Sequence, residues 1–582
     1  MNNTVRRYNR RRRRRNNPLR ILVIVVCLGV IGVLTALLLS NSGGQGNLDV
    51  SPGMSDYAIV SPTPVEPTPT PLPPFSPAPI SETLPSYYDF TFETVSEGTD
   101  VIPPINFGIG KEYTSLEGVI SFRGNNFRSN AAYGTAEVSQ KLLEKLWQVP
   151  TYSLKKGEGG NYAGAWTGSG WTGQPILVKW PKATKQVMNM YDFAKANDDL
   201  VEVIYATMDG NIYFLDLETG KPTRDKMFVG VPFKGAGSLD PRGYPLLYIG
   251  SGDHYSERGR EARAMIISLI DCKIIYEFGK KTDDFALRTW TAYDSSALVC
   301  AEADTLIYPG ENGILYVVKL NTFYDESNGV ISVTPGKLVK MRYNSSRSKN
   351  EGYWLGYEGS AAAFKNYVFL TENSGLMHCI DLNKMEVVWV QDINDDTNSS
   401  PAFEIDENGK CYIYIGNTLD KTADSNGYGT VAFYKIDAES GKIVWKKERQ
   451  VYTTSGVTGG VMTSAVLGEN KLKDLVYIVY ASYGNGNRGD MVAFNKADGT
   501  IAWETKLSAY TWSSPVAVYD SEGNGYLIQC NYHGNVYLID GTDGTILNTF
   551  NIESNIEASP AVFDDIIVIG TRVQGIWGIK IK

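Results

Sequence analysis

From Gly173 to Pro560 the apolar and polar positions of the chain repeat one phrase eight times. Each phrase opens on small residues, runs through a short apolar strand and a turn centred on Gly, and closes a second strand, usually in Asp. The openings are Gly173-Gln174-Pro175, Gly237-Ser238-Leu239, Ser295-Ser296-Ala297, Gly359-Ser360-Ala361, Ser399-Ser400-Pro401, Thr463-Ser464-Ala465, Ser513-Ser514-Pro515 and Ala558-Ser559-Pro560. Their mean spacing of about 55 residues suits four strands plus loops, one blade of a propeller.

The turns align residue by residue. Asp209-Gly210-Asn211-Ile212-Tyr213-Phe214-Leu215-Asp216 matches Asn312-Gly313-Ile314-Leu315-Tyr316-Val317-Val318-Lys319, Ser374-Gly375-Leu376-Met377-His378-Cys379-Ile380-Asp381 and His533-Gly534-Asn535-Val536-Tyr537-Leu538-Ile539-Asp540. Residues that tolerate left-handed backbone join two apolar runs in each, which specifies a hairpin. A second turn follows in most repeats, as in Glu439-Ser440-Gly441, before an outer strand closing on Trp389, Trp445 or Trp503. The last repeat stops at Lys582 without that strand, whereas Lys145-Leu146-Trp147-Gln148-Val149 has the strand and the Trp but no blade. Residues 145–149 are therefore expected to close the final blade and leave no free edge. The expected fold is all-β, an eight-bladed β-propeller over residues 105–582, with seven blades as the alternative count.

The N-terminal part has no such periodicity. Residues 1–20 carry nine arginines and no acid, directly before the uncharged run Ile21 to Leu39. Nineteen residues at about 1.5 Å each approach the roughly 30 Å of a bilayer core, so residues 21–39 read as a transmembrane helix, an uncleaved anchor. The basic tail beside it reads as cytoplasmic by the positive-inside rule, not as a nucleic-acid site. Half of the 26 prolines fall between Asn41 and Pro104, which predicts a disordered Pro/Thr/Ser-rich linker over residues 40–104, about 3.1 Å per residue where extended. Setting the nine arginines aside leaves 46 Lys and Arg against 64 Asp and Glu, a formal charge of −18 on the part expected outside the cytoplasm. That field repels polyanions and suits cationic or neutral partners.

The repeats resemble those of the pyrroloquinoline-quinone (PQQ) enzymes and of their non-catalytic relative, the propeller lipoprotein of the outer-membrane barrel-assembly machinery. The likeness rests on Gly-x-hydrophobic-Tyr-x-hydrophobic-Asp, Thr/Ser-Gly-Lys and the endings Ile443-Val444-Trp445 and Ile501-Ala502-Trp503, with Phe122-Arg123-Gly124-Asn125-Asn126 as a lead-in. It implies an eight-bladed propeller whose Trp side chains dock neighbouring blades. In the enzymes it also implies a calcium or similar ion held by carboxylates and amides, a base, and commonly a vicinal cysteine pair. The sequence contains no Cys-Cys and no CxxCH, and no metal cluster maps onto it residue by residue. The reading is accordingly no cofactor, no metal and no catalytic residue.

The remaining chemistry is sparse. The five cysteines beyond Cys27 sit singly in strand-like stretches and read as buried free thiols. Of three histidines, His533 and His378 occupy turn and strand positions of the repeat, and His254 lies in a longer loop. Asp406-Glu407-Asn408-Gly409 and Asp520-Ser521-Glu522-Gly523-Asn524-Gly525 lack the spacing of a calcium-binding loop and read as hairpin turns. More distinctive are aromatics just before the phrase openings: Trp166, Trp171, Trp290, Tyr293, Trp354, Tyr357, Tyr452 and Trp512. In a propeller these gather at one mouth of the central channel, where rings either hold sugars, peptide groups and cations or merely pack.

The functional expectation is a single-pass membrane protein whose extracytoplasmic propeller, a monomer, binds a protein or cell-wall partner in the bacterial envelope without catalysis. The alternatives are a PQQ-dependent dehydrogenase and a ligand sensor signalling through the single span, against which the twenty-residue cytoplasmic tail argues.

Overall fold

The computed structural model describes residues 74–156, 164–170, 173–252, 261–280, 283–348, 355–454, 457–481, 488–573 and 575–582. The expected basic tail, the span at residues 21–39 and the first part of the linker lie outside these residues. Among the described residues no helix is long and apolar enough to cross a membrane.

Among the described residues eight sheets of four to six strands follow one another along the chain, each built on antiparallel neighbours, which makes eight blades and excludes the count of seven. The fourth is representative: Ala362–Phe364, Tyr367–Thr371, Leu376–Asp381 and Glu386–Asp392, ordered from first to fourth. Its three inner strands are buried almost throughout, being covered on both faces by neighbouring blades, so they read as unbroken apolar runs. The outer strands alternate exposed and buried positions, as Ile443–Tyr452 does in the fifth blade.

The outer-strand tryptophans join consecutive blades. Trp389 donates its indole N–H to the Ala438 carbonyl at 3.0 Å, Trp445 to Lys496 at 3.1 Å and Trp503 to Gly541 at 3.0 Å, each on the following blade. Their rings press on the second turn of that blade. At Gly441 (φ +73°) a Cβ would sit 2.8 Å from the Trp389 ring, so Gly is required there by both conformation and space. The eighth blade ends the same way: Leu143–Val149 pairs antiparallel with Ile576–Ile581, and Trp147 donates to Leu217 of the first blade at 2.7 Å. The ring thus closes on itself.

A second seam runs round the axis. The Ser296 N–H donates to Ser360 Oγ, Ser360 to Ser400, Ser400 to Ser464, Ser464 to Ser514 and Ser514 to Ser559, at 2.8–3.0 Å. Ser559 N–H then reaches the Gly173 carbonyl of the first blade. These serines are the second residue of each phrase opening, which explains why small polar residues recur there. The hydroxyl satisfies a backbone donor that has no partner within its own sheet.

Residues 74–104, which the proline content places in a disordered linker, are instead ordered against the blades. Phe75 inserts between the fourth and fifth blades, its ring 5.2 Å from Phe364 and 6.2 Å from Phe403. Phe90 stacks on Tyr343 at 5.9 Å, and Thr91–Gly98 adds a fifth strand to the third blade beside Lys337–Asn344. Each buried Phe supplies on the order of 2–3 kcal/mol, enough to order a short segment although its average composition is that of a linker.

Candidate functional site

The lead-in closes one end of the central channel. Arg123 and Arg128 are both fully buried and both adopt left-handed backbone, at φ +56°. Arg128 donates to the carbonyls of Ala361, Phe122, Ser296 and Ala297 and to Ser121 Oγ, and Arg123 donates to the carbonyls of Pro515 and Ala465. Burial pushes Arg123 down to about 9 and Arg128 to about 10, so both are charged at neutral pH. The backbone of the same segment bonds to Leu239, Ala363, Phe403, Leu467 and Val562, one innermost strand after another. With so many blades holding it, a strained backbone persists, and the channel is a dead end.

The described residues at the other end are largely polar. The residue two positions before the axial serine lines it on five successive blades: Asp294, Glu358, Asn398, Met462 and Trp512. With Phe122 and the serines they enclose a cavity of about 10 Å³, room for a single water. Glu557 occupies the equivalent position on the eighth blade and pairs with Arg572 at 3.4 Å. Just beyond, Glu311 Oε2 accepts the Trp290 indole N–H at 2.8 Å while Oε1 has no hydrogen-bond partner, although the residue is only 4% exposed. Burial raises the Glu311 pKa well above the carboxylate range, and Asp294 and Glu358 raise it further, against Lys234 and Arg288. Asp396 is raised by burial and then by Glu358, Asp420 and Asp395. Burial and the neighbouring acids thus disfavour ionisation at the mouth.

The aromatics picked from the sequence divide into three groups. Trp290 and Trp512 are half-buried, Trp512 lining the axial cavity, and Trp166 shares with Trp290 the ammonium of Lys234, 5.9 Å from both rings. Tyr293 and Tyr357 are fully buried packing residues: Tyr293 donates to the Gly279 carbonyl at 2.8 Å, and Tyr357 packs on Tyr343 at 5.0 Å. Tyr452 lies at the end of the outer strand of the fifth blade against Tyr428, at 4.9 Å, away from the axis. Trp171 and Trp354 fall outside the described residues. The carboxylates were missed although their signal is present, since Asp294, Glu358 and Glu557 stand at one fixed offset from the serines.

The other chemistry is structural. His378 is fully buried among Phe90, Tyr343 and Tyr357, and burial lowers its pKa to about 3. His254 lies outside the described residues. Asp406 Oδ1 accepts the N–H groups of Asn408 and Lys410, and Asp520 Oδ1 those of Glu522 and Asn524, so both loops are capped turns. Cys300, Cys379, Cys411 and Cys530 are buried free thiols, and Cys272 is half-buried.

Comparison with known proteins follows the fold. Residues 342–582 match the family of the outer membrane protein assembly factor BamB. The BamB-like stretch holds the fourth to eighth blades apart from the strand Leu143–Val149. Among solved structures, BamB from Moraxella catarrhalis is 14% identical, over 66% of this chain and 92% of that one, with a TM-score of 0.42. A quinohemoprotein alcohol dehydrogenase from Pseudomonas putida HK5 is 12% identical over 82% of each chain, with a TM-score of 0.50. Identities this low show the fold alone: a PQQ-like propeller. No curated protein matches the chain by sequence. Among the described residues the axial cavity admits one water, and no three His, Cys, Asp or Glu are grouped for a metal.

Proposed function

We propose that this chain is a membrane-anchored, extracytoplasmic binding protein, non-catalytic, whose propeller presents its channel mouth to a protein or cell-wall partner in the bacterial envelope. The observation that carries the reading is the asymmetry of the channel. One end is sealed by a buried lead-in, and the other gathers acidic side chains and half-buried indoles. Concave polar surfaces with aromatic anchors favour recognition of a protruding group. The description of the matched family, an assembly factor, supports binding over chemistry. The arginine-flanked apolar run supports the anchor, and the length of chain between it and the first blade supports a propeller held away from the membrane.

The test is chemical crosslinking in intact cells followed by recovery of the full-length chain, alongside titration of the purified chain with peptidoglycan fragments. A discrete adduct or saturable binding to a fragment is expected. No adduct and no fragment binding, together with reduction of an acceptor dye on addition of PQQ and calcium, would overturn the proposal in favour of an enzyme.

A further inference from the structure

His378 departs from its repeat. Tyr213, Tyr316 and Tyr537 hold the same position in other blades, and each hydroxyl bonds to a polar side chain of its own hairpin turn: Asp209 at 2.6 Å, Asn312 at 2.6 Å and Asn531 at 3.0 Å. His378 is fully buried, and neither of its ring nitrogens has a hydrogen-bond partner. A neutral imidazole carries one donor and one acceptor, and leaving both buried and unmet is unfavourable.

Part of what covers this ring is the segment ahead of the blades. The imidazole meets the Phe90 ring edge to face at 4.6 Å, and lies 5.3 Å from Tyr343 of the third blade and 6.0 Å from Tyr357. Two of these rings belong to the blades. The third, Phe90, arrives on a strap that the propeller holds lightly: Thr91–Gly98 is exposed along most of its length and pairs only with the rim strand of the third blade. Local opening draws on segments of this kind.

The groups facing the imidazole leave its charge to burial. Tyr343 and Tyr357 face it, and Leu370 and Val390 stand directly across from it on the adjoining strands. Glu372 acts on the two tyrosines, but it is fixed by the N–H groups of Ser374 and Leu376 in its own turn, whether or not the strap is seated. Burial holds His378 neutral, with a pKa of about 3, whereas a ring reached by water returns to about 6.5. Because the value is lower in the seated state, seating is fully favoured above about pH 6.5 and loses ground as pH falls through it.

We propose that His378 is an acid-operated latch: protonation of its imidazole, which the seated Phe90 ring opposes, releases the strap of residues 85–98 and uncovers the ring-lined cleft between the third and fourth blades.

The test is amide hydrogen exchange of the full-length chain at pH 7.5 and 5.0, corrected for the intrinsic chemical rate. Protection of Thr91–Gly98 is expected to fall about threefold or more at the lower pH, with a ceiling of about 30-fold set by the two imidazole values. The strand Asn535–Asp540 of the seventh blade is expected to keep its protection. His378→Phe keeps a ring and removes the titration, so the fall is expected to vanish there, while the Glu93–Arg342 and Glu97–Lys340 ion pairs between strap and blade remain in both chains. A smaller fall in the unaltered chain, an equal fall in His378→Phe, or a parallel loss in the seventh blade would overturn the latch. Where that variant fails to fold, exchange of the imidazole C2 hydrogen compares the unaltered chain with Phe90→Ala: the His378 midpoint is expected to rise toward about 6.5 in Phe90→Ala, and the same midpoint in both would overturn the proposal.

Discussion

Ser400 accepts the Ser360 N–H at 2.8 Å and passes its own N–H to Ser464 at 2.9 Å. Ser400→Ala removes the acceptor and leaves a buried donor unsatisfied, which is expected to lower the unfolding free energy by about 1–3 kcal/mol in a denaturant titration. No measurable loss would mean that the axial seam is not a source of stability. Glu372 offers a pH-dependent counterpart. It is fully buried, accepts the N–H groups of Ser374 and Leu376, and burial pushes its pKa from 4.5 to about 7. Because the folded value lies above the unfolded one, the native state holds the extra proton between about pH 4.5 and 7, and stability falls as pH rises through that window. Glu372→Gln is expected to flatten the stability profile there, by up to about 3 kcal/mol across the window; an unchanged slope would assign the effect elsewhere. Such residues were only half legible in the sequence. The openings were visible as small residues, but the hydroxyl of each serves a residue 40–64 positions away, a pairing that exists only once blades stand side by side.

Between elements, the tryptophan dock repeats round the ring, and its glycine is the part least open to change. Gly441→Ala would place a Cβ 2.8 Å from the Trp389 ring at φ +73°. The expected cost is about 1–3 kcal/mol, read as a lower thermal midpoint, whereas an unchanged midpoint would show that the blades slide apart without penalty. The hairpins were readable as apolar runs joined by a Gly turn, and the outer Trp strands and the orphan strand at residues 145–149 by their recurring Trp. The order of residues 74–104 was not. There the average composition is that of a linker, and the buried phenylalanines follow no period, Phe75 packing on Phe364 and Phe403 and Phe90 on Tyr343 and His378. Phe90→Ala is expected to free this strap locally: limited proteolysis should cut between residues 76 and 104 while the melting of the remaining propeller changes little. Global destabilisation without new cleavage would show instead that strap and blades unfold as one.

At the scale of the whole molecule, the closed ring, the sealed lead-in and the acidic mouth make one directional object. Its fold is that of a PQQ-like propeller, and its BamB-like stretch carries the axial positions from Glu358 onward. The fold therefore says little about activity, and the distinguishing features are the residues that depart from the repeat. The aromatic register includes Tyr293 and Tyr357, which pack inside, because spacing along a strand does not tell which face meets a neighbouring blade. The central claim, that the channel mouth is where a partner binds, is tested most directly by placing a photocrosslinking amino acid at position 290 in intact cells, with position 323 on the exposed hairpin of the third blade as the control. The account predicts a discrete adduct from position 290 and none from position 323; adducts from 323 alone, or equal adducts from both, would contradict it.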